Sequence, residues 1–442
     1  MLSAANARTP SSSGKRGWPG GGATFGAGSL TVAGAYGRGT LRPRAKHAAP
    51  SLWGMPLRPW QRVVIAMFAV AWGANQFSPM LVVYRDELGL SARTLALLFA
   101  LYAVGLIPGL LLGGAASDRR GRRPVVLPLV ALSPVATLLL ILFRDDPVGL
   151  GAGRLLAGVC SGVVFGAATA WVRELSAGAA DGVAARRAAT ALTAGFASGP
   201  LVASLLAQWA PGPLWLPYVP HLALGVAAAA LLVPAPDGAA RRVPDGPLLR
   251  IPRCVRRARF GRTVAIVAPW VFACAALSFA VLPGETGGAT VLLAGVGGAL
   301  TLATGVAIQP VARRLEEWRP RGASAAGLLA AAAGLAVGIL ALEDDSRTLV
   351  LVAAPLFGIG YGCCLISGLR ETERIAPATE LGASVSVFYA LSYLGFATPY
   401  VTDVLNGAFG DRGALAVLAG LALACLAVSA GGRPGRVAAE AA

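Results

Sequence analysis

The sequence predicts an all-α polytopic membrane protein with twelve transmembrane helices arranged as two six-helix bundles. Only 13% of its 442 residues are charged and the mean hydropathy is +0.66, whereas soluble domains carry about twice that charged fraction. Long apolar windows recur along most of the chain, and each can cross a hydrocarbon core of about 30 Å as a helix. Helices suit this environment because they satisfy their own backbone hydrogen bonds.

The first segment, residues 1–54, differs from everything that follows it. It is rich in Gly, Ser, Ala and Pro, contains no Asp or Glu, and holds both lysines of the chain. Three interpretations stay open: a disordered cytoplasmic tail, a translation start at Met55, or an organellar transit peptide. In each of them the segment lies outside the fold.

Twelve apolar windows follow, and their even number places both termini on the same side of the membrane. They divide the chain into a first bundle (55–233), a basic linker (234–262), a second bundle (263–432) and a short tail (433–442). We expect the linker to be solvated. The windows lie at residues 62–83, 95–117, 124–143, 147–172, 188–209, 214–233, 263–283, 289–311, 322–342, 348–369, 380–404 and 411–430.

Loop arginines orient the chain. From residue 55 onward, loops on the side of the termini hold 25 arginines and the opposite loops hold 5. Basic loops stay in the cytoplasm, so we expect a plasma-membrane protein with both termini cytoplasmic. The net charge of +17 then reflects topology and contact with anionic lipid, and it requires no nucleic acid.

The two halves match at a constant offset of 200 residues. Gly158 and Gly162 correspond to Gly358 and Gly362, and the string Gly-Phe-Ala occurs at 195–197 and again at 395–397. Such a repeat implies two bundles related by an axis along the membrane normal. That arrangement places a substrate site between the halves, near the middle of the membrane.

Three motifs in their expected spans resemble those of the major facilitator superfamily. The loop GAASDRRGRR at 114–123 is similar to that family's G-x-x-x-D-R-x-G-R-R, RLLAG at 154–158 to its R-x-x-x-G, and GFASGP at 195–200 to its antiporter motif G-x-x-x-G-P. The resemblance covers residues 56–430. It implies secondary transport of a small molecule by alternating access, without ATP hydrolysis, enzymatic chemistry or a cofactor.

The loop motif predicts a conformational latch. Asp118 needs a partner at its helix end, and the resemblance implies two: the loop arginines and the positive start of span eleven. Glu174, which ends span four, lies at the right depth to receive an arginine, and we expect the cluster to stabilise the outward-open state. The alternative is that the arginines only anchor topology. The predicted latch residues are Gly114, Asp118, Arg119, Gly121, Arg122 and Glu174.

A small number of polar and aromatic side chains inside the spans predicts the lining of the substrate cavity. Arg154 lies inside span four, where a charge usually faces a cavity or a partner; the alternative is an arginine that snorkels outward. For each tyrosine, simple helix packing is the alternative. An aromatic and amide lining suits an amphiphilic or uncharged solute. The predicted lining is Asn75, Gln76, Ser78, Tyr102, Arg154, Tyr361, Ser367, Tyr389, Ser392 and Tyr393.

Span five predicts a bendable helix that faces the other half. Pro200 cannot donate a backbone hydrogen bond, so we expect a kink there, with Gly195 and Gly199 adding freedom. The trailing glycine pair of the family motif is replaced by Ala203 and Ser204, which weakens the antiporter assignment.

These observations favour a monomeric, proton-linked exporter of small amphiphilic compounds, whose partners are its substrate, protons and membrane lipid. A facilitator or symporter that imports a neutral nutrient such as a sugar is the alternative, because no Asp or Glu lies deep in spans one, four, seven or ten. His221 in span six is a weak candidate for proton coupling. A membrane enzyme is poorly supported, and the six cysteines show no metal-binding spacing.

Overall fold

The computed structural model describes residues 57–180, 183–237, 252–285, 290–377 and 380–431. The predictions for residues 1–54, for most of the linker and for the tail at 433–442 lie outside these ranges. Within them every regular element is a helix.

Seven helices form the first half. They are α1 (Pro59–Asn75), α2 (Met80–Leu88), α3 (Ala92–Arg120), α4 (Arg122–Leu142), α5 (Pro147–Leu175), α6 (Val183–Trp209) and α7 (Val219–Leu232).

Seven more helices form the second half. They are α8 (Ala258–Gly284), α9 (Val291–Ala307), α10 (Gln309–Trp318), α11 (Gly322–Glu343), α12 (Arg347–Ile375), α13 (Leu381–Tyr393) and α14 (Thr398–Gly431).

Nine helical stretches of the described chain are long and apolar enough to cross a membrane, or ten if α9 and α10, bent by 42°, form one span. The protein is therefore a multi-pass membrane protein. The count is below the predicted twelve for two reasons. Residues 216–232 are short for a full span, and residues 381–430 run as one 50-residue stretch, although Gly410 breaks it with φ 70° and ψ 170°.

The repeat is visible in helix packing. A Cβ at Gly158 would clash with the backbone oxygen of Tyr102, and one at Gly358 would clash with that of Thr301. In the same way Gly195 packs against residues 68–72 of α1, and Gly395 packs against residues 269–273 of α8. Small residues let membrane helices approach closely, so equivalent glycines set equivalent contacts in the two halves.

The turns also repeat. Gly121, between α3 and α4, has φ 97°, and Arg321, between α10 and α11, has φ 67°. These residues are 200 apart, so α4 and α11, the fourth helices of their halves, both start from a left-handed turn. A non-glycine residue there is uncommon.

The two ends of the bundle can be told apart by contacts. Arg62 near the start of α1 donates to the backbone oxygen of Leu231 at the end of α7 (2.9 Å), and Arg321 donates to that of Ser429 at the end of α14 (2.6 Å). We call this the terminal end, because the chain enters and leaves the bundle here. The opposite end is the far end.

The helices that begin each half are irregular at equivalent places. Residues 76–79 separate α1 from α2, and residues 277–281 of α8 form a π-helix. In the first break Pro79 has no N–H, so Asn75 O accepts from Ser78 N instead (3.0 Å). Interrupted helices of this kind often line transport sites.

Candidate functional site

The first-half cluster joins three of the predicted latch residues at the terminal end. Arg122 pairs with Asp118 (2.5 Å) and with Glu174 (2.9 Å), and it donates to Ser117 Oγ (2.6 Å). Its side chain is 12% exposed, whereas those of Asp118 and Glu174 are 43% and 25% exposed. Arg122 is therefore the arginine that reaches Glu174, while Arg119 lies half-buried on the last turn of α3.

The linker completes this cluster. Asp237 accepts from the backbone N–H of Arg123 at the start of α4 (2.9 Å), and its other oxygen occupies the place of a Cβ on Gly121. Gly121 is thus required both by its φ of 97° and by Asp237. A Cβ added at Gly114 would have no described atom within 4 Å, so no contact requires glycine at this position.

The linker is docked at its second end as well, which corrects the expectation of a wholly solvated segment. Arg253 N donates to Glu380 Oε2 (2.9 Å), and Cys254 Sγ lies 3.1 Å from Ser384 Oγ. These contacts cover the start of α13. In the described part of the chain Asp118 pairs with Arg122 and not with this helix start, so the implied contact with span eleven is not formed in this conformation.

The second-half cluster is buried and holds more partners. Glu316, 1% exposed, accepts from Ser367 Oγ (2.6 Å) and Arg374 (3.1 Å), and also from the backbone N–H groups of Arg321 (3.0 Å) and Ala323 (3.3 Å). In this conformation Ser367 therefore belongs to this cluster.

The same cluster continues through Glu371, whose side chain is 3% exposed. It pairs with Arg259 (2.9 Å) and with Arg374 (3.4 Å). The chain Glu316–Arg374–Glu371–Arg259 links α10, α12 and α8.

Arg154 is buried, at 2% exposed, and it does not snorkel outward. Its guanidinium donates to the backbone oxygens of Ala74 (3.2 Å), Leu98 (3.4 Å) and Phe99 (3.5 Å). In a regular helix the backbone N–H of Ser78 would donate to the backbone oxygen of Ala74. At the break after α1 it donates to the backbone oxygen of Asn75 instead, which leaves the oxygen of Ala74 available. The Arg154 side chain thus links the segment between α1 and α2 to α3.

The other polar residues predicted in span one are held inside the first half. Asn75 donates to the backbone oxygen of Phe196 (3.3 Å), and Gln76 donates to Thr137 Oγ1 (3.0 Å). Thr137 in turn lies 2.7 Å from His221 Nδ1. Ser78 is 2% exposed. These side chains join helices to one another and do not line an open cavity in this conformation.

Aromatic rings close the middle of the bundle between the halves. Phe396 packs edge-on against Phe99 (5.0 Å between centroids) and Tyr102 (5.8 Å) of α3. Phe272 stacks on Phe396 (5.0 Å) and Tyr393 (4.2 Å).

The remaining residues predicted for the cavity lie around this aromatic contact. Tyr361 packs on Phe272 (6.0 Å) and Tyr389 on Phe388 (5.5 Å). Ser392 donates to the backbone oxygen of Phe388 in its own helix (2.9 Å).

The far end is closed by polar contacts that sequence reasoning missed. Arg85 donates to the backbone oxygen of Gly284 (2.7 Å), and Arg93 pairs with Asp403 (3.5 Å). Both contacts join the two halves across a small cavity of 160 Å³. The available signal was Asp403 at a helix end together with Arg85 and Arg93, two of the five arginines in the far-end loops.

Helix α6 runs through Pro200 as one element, so the expected kink does not interrupt it. Gly195 and Gly199 pack against α1 between Phe68 and Trp72. A Cβ at Gly295 of α9 would clash with Ser204 and lie 3.1 Å from the backbone oxygen of Pro200. The segment therefore does face the second half, but its glycines serve packing with α1.

The family model of the Major Facilitator Superfamily matches residues 63–399, and the chain belongs to that superfamily. It is therefore a membrane transport protein and not an enzyme. Among curated proteins, the multidrug resistance protein MdtL of Escherichia coli is 33% identical over 88 residues. That match spans 20% of this chain and 22% of MdtL.

Solved transporters share the fold at low sequence identity. The nucleoside transporter NupG aligns with a TM-score of 0.62 and 14% identity, covering 85% of this chain and 99% of NupG. A POT family transporter in complex with 5-aminolevulinic acid aligns with a TM-score of 0.68 and 14% identity, covering 86% and 96% of the two chains. At this identity the likeness concerns the fold alone.

Proposed function

We propose that this protein is a secondary transporter that works by alternating access and exports small amphiphilic compounds in exchange for protons. In this proposal twelve crossings form two bundles in the plasma membrane of the cell, with both termini cytoplasmic, and a single chain is the working unit. The twelve crossings count the short helix at 216–232, the bent pair α9–α10, and two spans separated at Gly410.

The observation that carries the proposal is the uneven distribution of contacts between the halves. Ion pairs, hydrogen bonds and aromatic contacts join the halves at the far end and in the middle. At the terminal end the described charge clusters each stay within one half. This pattern is typical of a transporter in a conformation that is open at the terminal end. The loop arginines favour a cytoplasmic location for that end.

In the opposite state the terminal end must close, and we assign the latch to the first-half cluster. Asp118 is 43% exposed, so exchanging its pair with Arg122 for the start of α13 costs little. Arg122 and Glu174 would hold the loop during this exchange. The latch then stabilises the outward-open state.

Export is favoured by the partial likeness to a multidrug resistance protein and by the motif at 195–200. The test is accumulation of fluorescent solutes in cells that express the protein, with and without an uncoupler. Proton-linked export predicts lower accumulation that the uncoupler reverses. Flux that persists unchanged in the uncoupler would contradict proton coupling.

A facilitator for a neutral solute is the second candidate, and one observation favours it. The buried acids Glu316 and Glu371 both carry arginine partners, so neither is an obvious proton carrier. The same uncoupler experiment separates the two candidates, because a facilitator equilibrates its solute at a rate that does not depend on the proton gradient.

A further inference from the structure

We infer that the transported compound is an anionic amphiphile, because the buried interior of the described chain holds one charge without an ionic partner, and that charge is positive. This inference rests on the proposed transport function and names the chemical class of its substrate. It concerns Arg154 and the aromatic rings around it.

Three charged side chains are buried among the described residues: Arg154, Glu316 and Glu371. The two acids lie at the terminal end, and arginines balance them at 3.1 Å and 2.9 Å. Arg154 has only backbone oxygens as hydrogen-bond acceptors within the described chain. A buried charge is costly without a partner of opposite sign, so the interior favours an anion.

The aromatic faces nearest to Arg154 already bind a cation. The guanidinium of Arg154 lies 4.4 Å from the ring centroid of Phe77, 4.7 Å from that of Tyr102 and 5.9 Å from that of Phe99. Rings in such positions attract one cation, and here that cation belongs to the protein. In the second half Phe272, Tyr393 and Phe396 stack on one another.

Arg154 also lies next to the surface that must open. Phe99 and Tyr102 contact the guanidinium on one side and Phe396 of the other half on the other. A solute that parts these rings comes within a few ångströms of the positive charge. At such a distance, in a medium less polar than water, an anion is attracted and a cation repelled.

Two xanthene dyes of opposite charge, fluorescein and rhodamine 123, test the inference. Binding of each to the purified full-length protein is measured by fluorescence polarisation, and transport of each is measured in proteoliposomes with an imposed pH gradient. We expect fluorescein to bind about tenfold more tightly than rhodamine 123. Arg154→Gln should abolish this ratio, whereas Arg154→Lys, which keeps the charge, should preserve it.

The outcomes separate the inference from the proposed function. Fluorescein that binds but does not move in any gradient leaves the substrate class standing and contradicts transport. Tighter binding of rhodamine 123, binding of neither dye, or an Arg154→Gln protein that keeps the wild-type ratio overturns the inference and leaves Arg154 as a fastener of the α1–α2 break. If Arg154→Gln does not yield monodisperse protein, the wild-type ratio and the Arg154→Lys variant still decide.

Discussion

The two terminal-end clusters occupy equivalent places in the repeat and use their charges in opposite ways. Position 174 is an acid that receives Arg122, whereas its counterpart 374 is an arginine that binds Glu316. In each half a carboxylate also caps the start of the fourth helix, Asp237 at Arg123 N of α4 and Glu316 at Ala323 N of α11.

What differs is burial. Glu316 and Glu371 are 1% and 3% exposed and fully engaged, whereas Asp118 is 43% exposed and has one ion-pair partner, Arg122, among the described residues. A saturated, buried network is rigid, and an exposed acid can exchange partners at little cost. We conclude that the second-half cluster holds its bundle together, while the first-half cluster is suited to a moving contact.

The largest effect is expected at Glu316. Glu316→Ala removes the acceptor of two side chains and two backbone amides and leaves Arg374 without this partner. Breaking a buried pair from one side costs about 3–5 kcal/mol, so the melting temperature of the purified protein should fall steeply. The neighbouring Glu317→Ala, at a side chain 70% exposed, is the control and should melt like the wild type. Equal melting of both variants would contradict a structural role for the second-half cluster.

A smaller loss is expected at Gly121. Gly121→Ala forces a side chain into a backbone region that is nearly exclusive to glycine and into the carboxylate of Asp237. The expected loss of stability is about 1–3 kcal/mol. Gly114→Ala in the same motif is the matched control, because its Cβ meets open space and alanine favours a helix. A Gly121→Ala protein as stable as Gly114→Ala would refute this account of the turn.

The positions of the acid and the arginine in the first-half cluster can be exchanged, so that they resemble those of the second-half cluster. Arg122→Glu and Glu174→Arg should each impair stability and transport, because the first brings a third carboxylate beside Asp118 and Glu174 and the second places two arginines together. The double variant restores the pair between α4 and α5, with an expected coupling of about 0.5–3 kcal/mol in a thermal-melt cycle. Strict additivity of the two single variants would mean that the 2.9 Å ion pair contributes nothing.

Asp118→Asn should have the smallest effect on stability, within about 0.5 kcal/mol, because an exposed pair contributes little. Transport should nevertheless fall about tenfold, which corresponds to about 1.4 kcal/mol of bias toward the terminal-open state. Uptake and export assays at matched expression measure this. Unchanged transport would reduce the loop at 114–123 to a topology anchor.

The sequence predicted the membrane class, the helical windows and the repeat, because apolar length and glycine spacing are local properties. It also identified Asp118 and Glu174 as acids that needed explanation, but it did not decide whether Arg119 or Arg122 reaches Glu174. The partners of Glu316 and the docking of the linker on α13 could not be predicted, because they depend on which helix ends become neighbours in space.

Arg154 shows the same limit in another way. Its place inside a span indicated a buried charge with a partner, but the partners are backbone oxygens, which carry no signal in the sequence. Ser367 shows another limit, since this polar residue on an apolar helix was predicted to line a cavity, whereas in this conformation its hydroxyl donates to a buried acid.

The central claim is that the far end and the terminal end open in alternation, with the exposed first-half cluster biasing the equilibrium. Spin labels at Ala92 and Val404 report the far end, and labels at Arg120 and Glu373 report the terminal end, all on exposed sites. Pulsed electron spin resonance should show two states in which one distance is short when the other is long, and Asp118→Asn should enrich the state with the long terminal distance. Two distances that change together, or that never change with substrate and pH, would contradict the account.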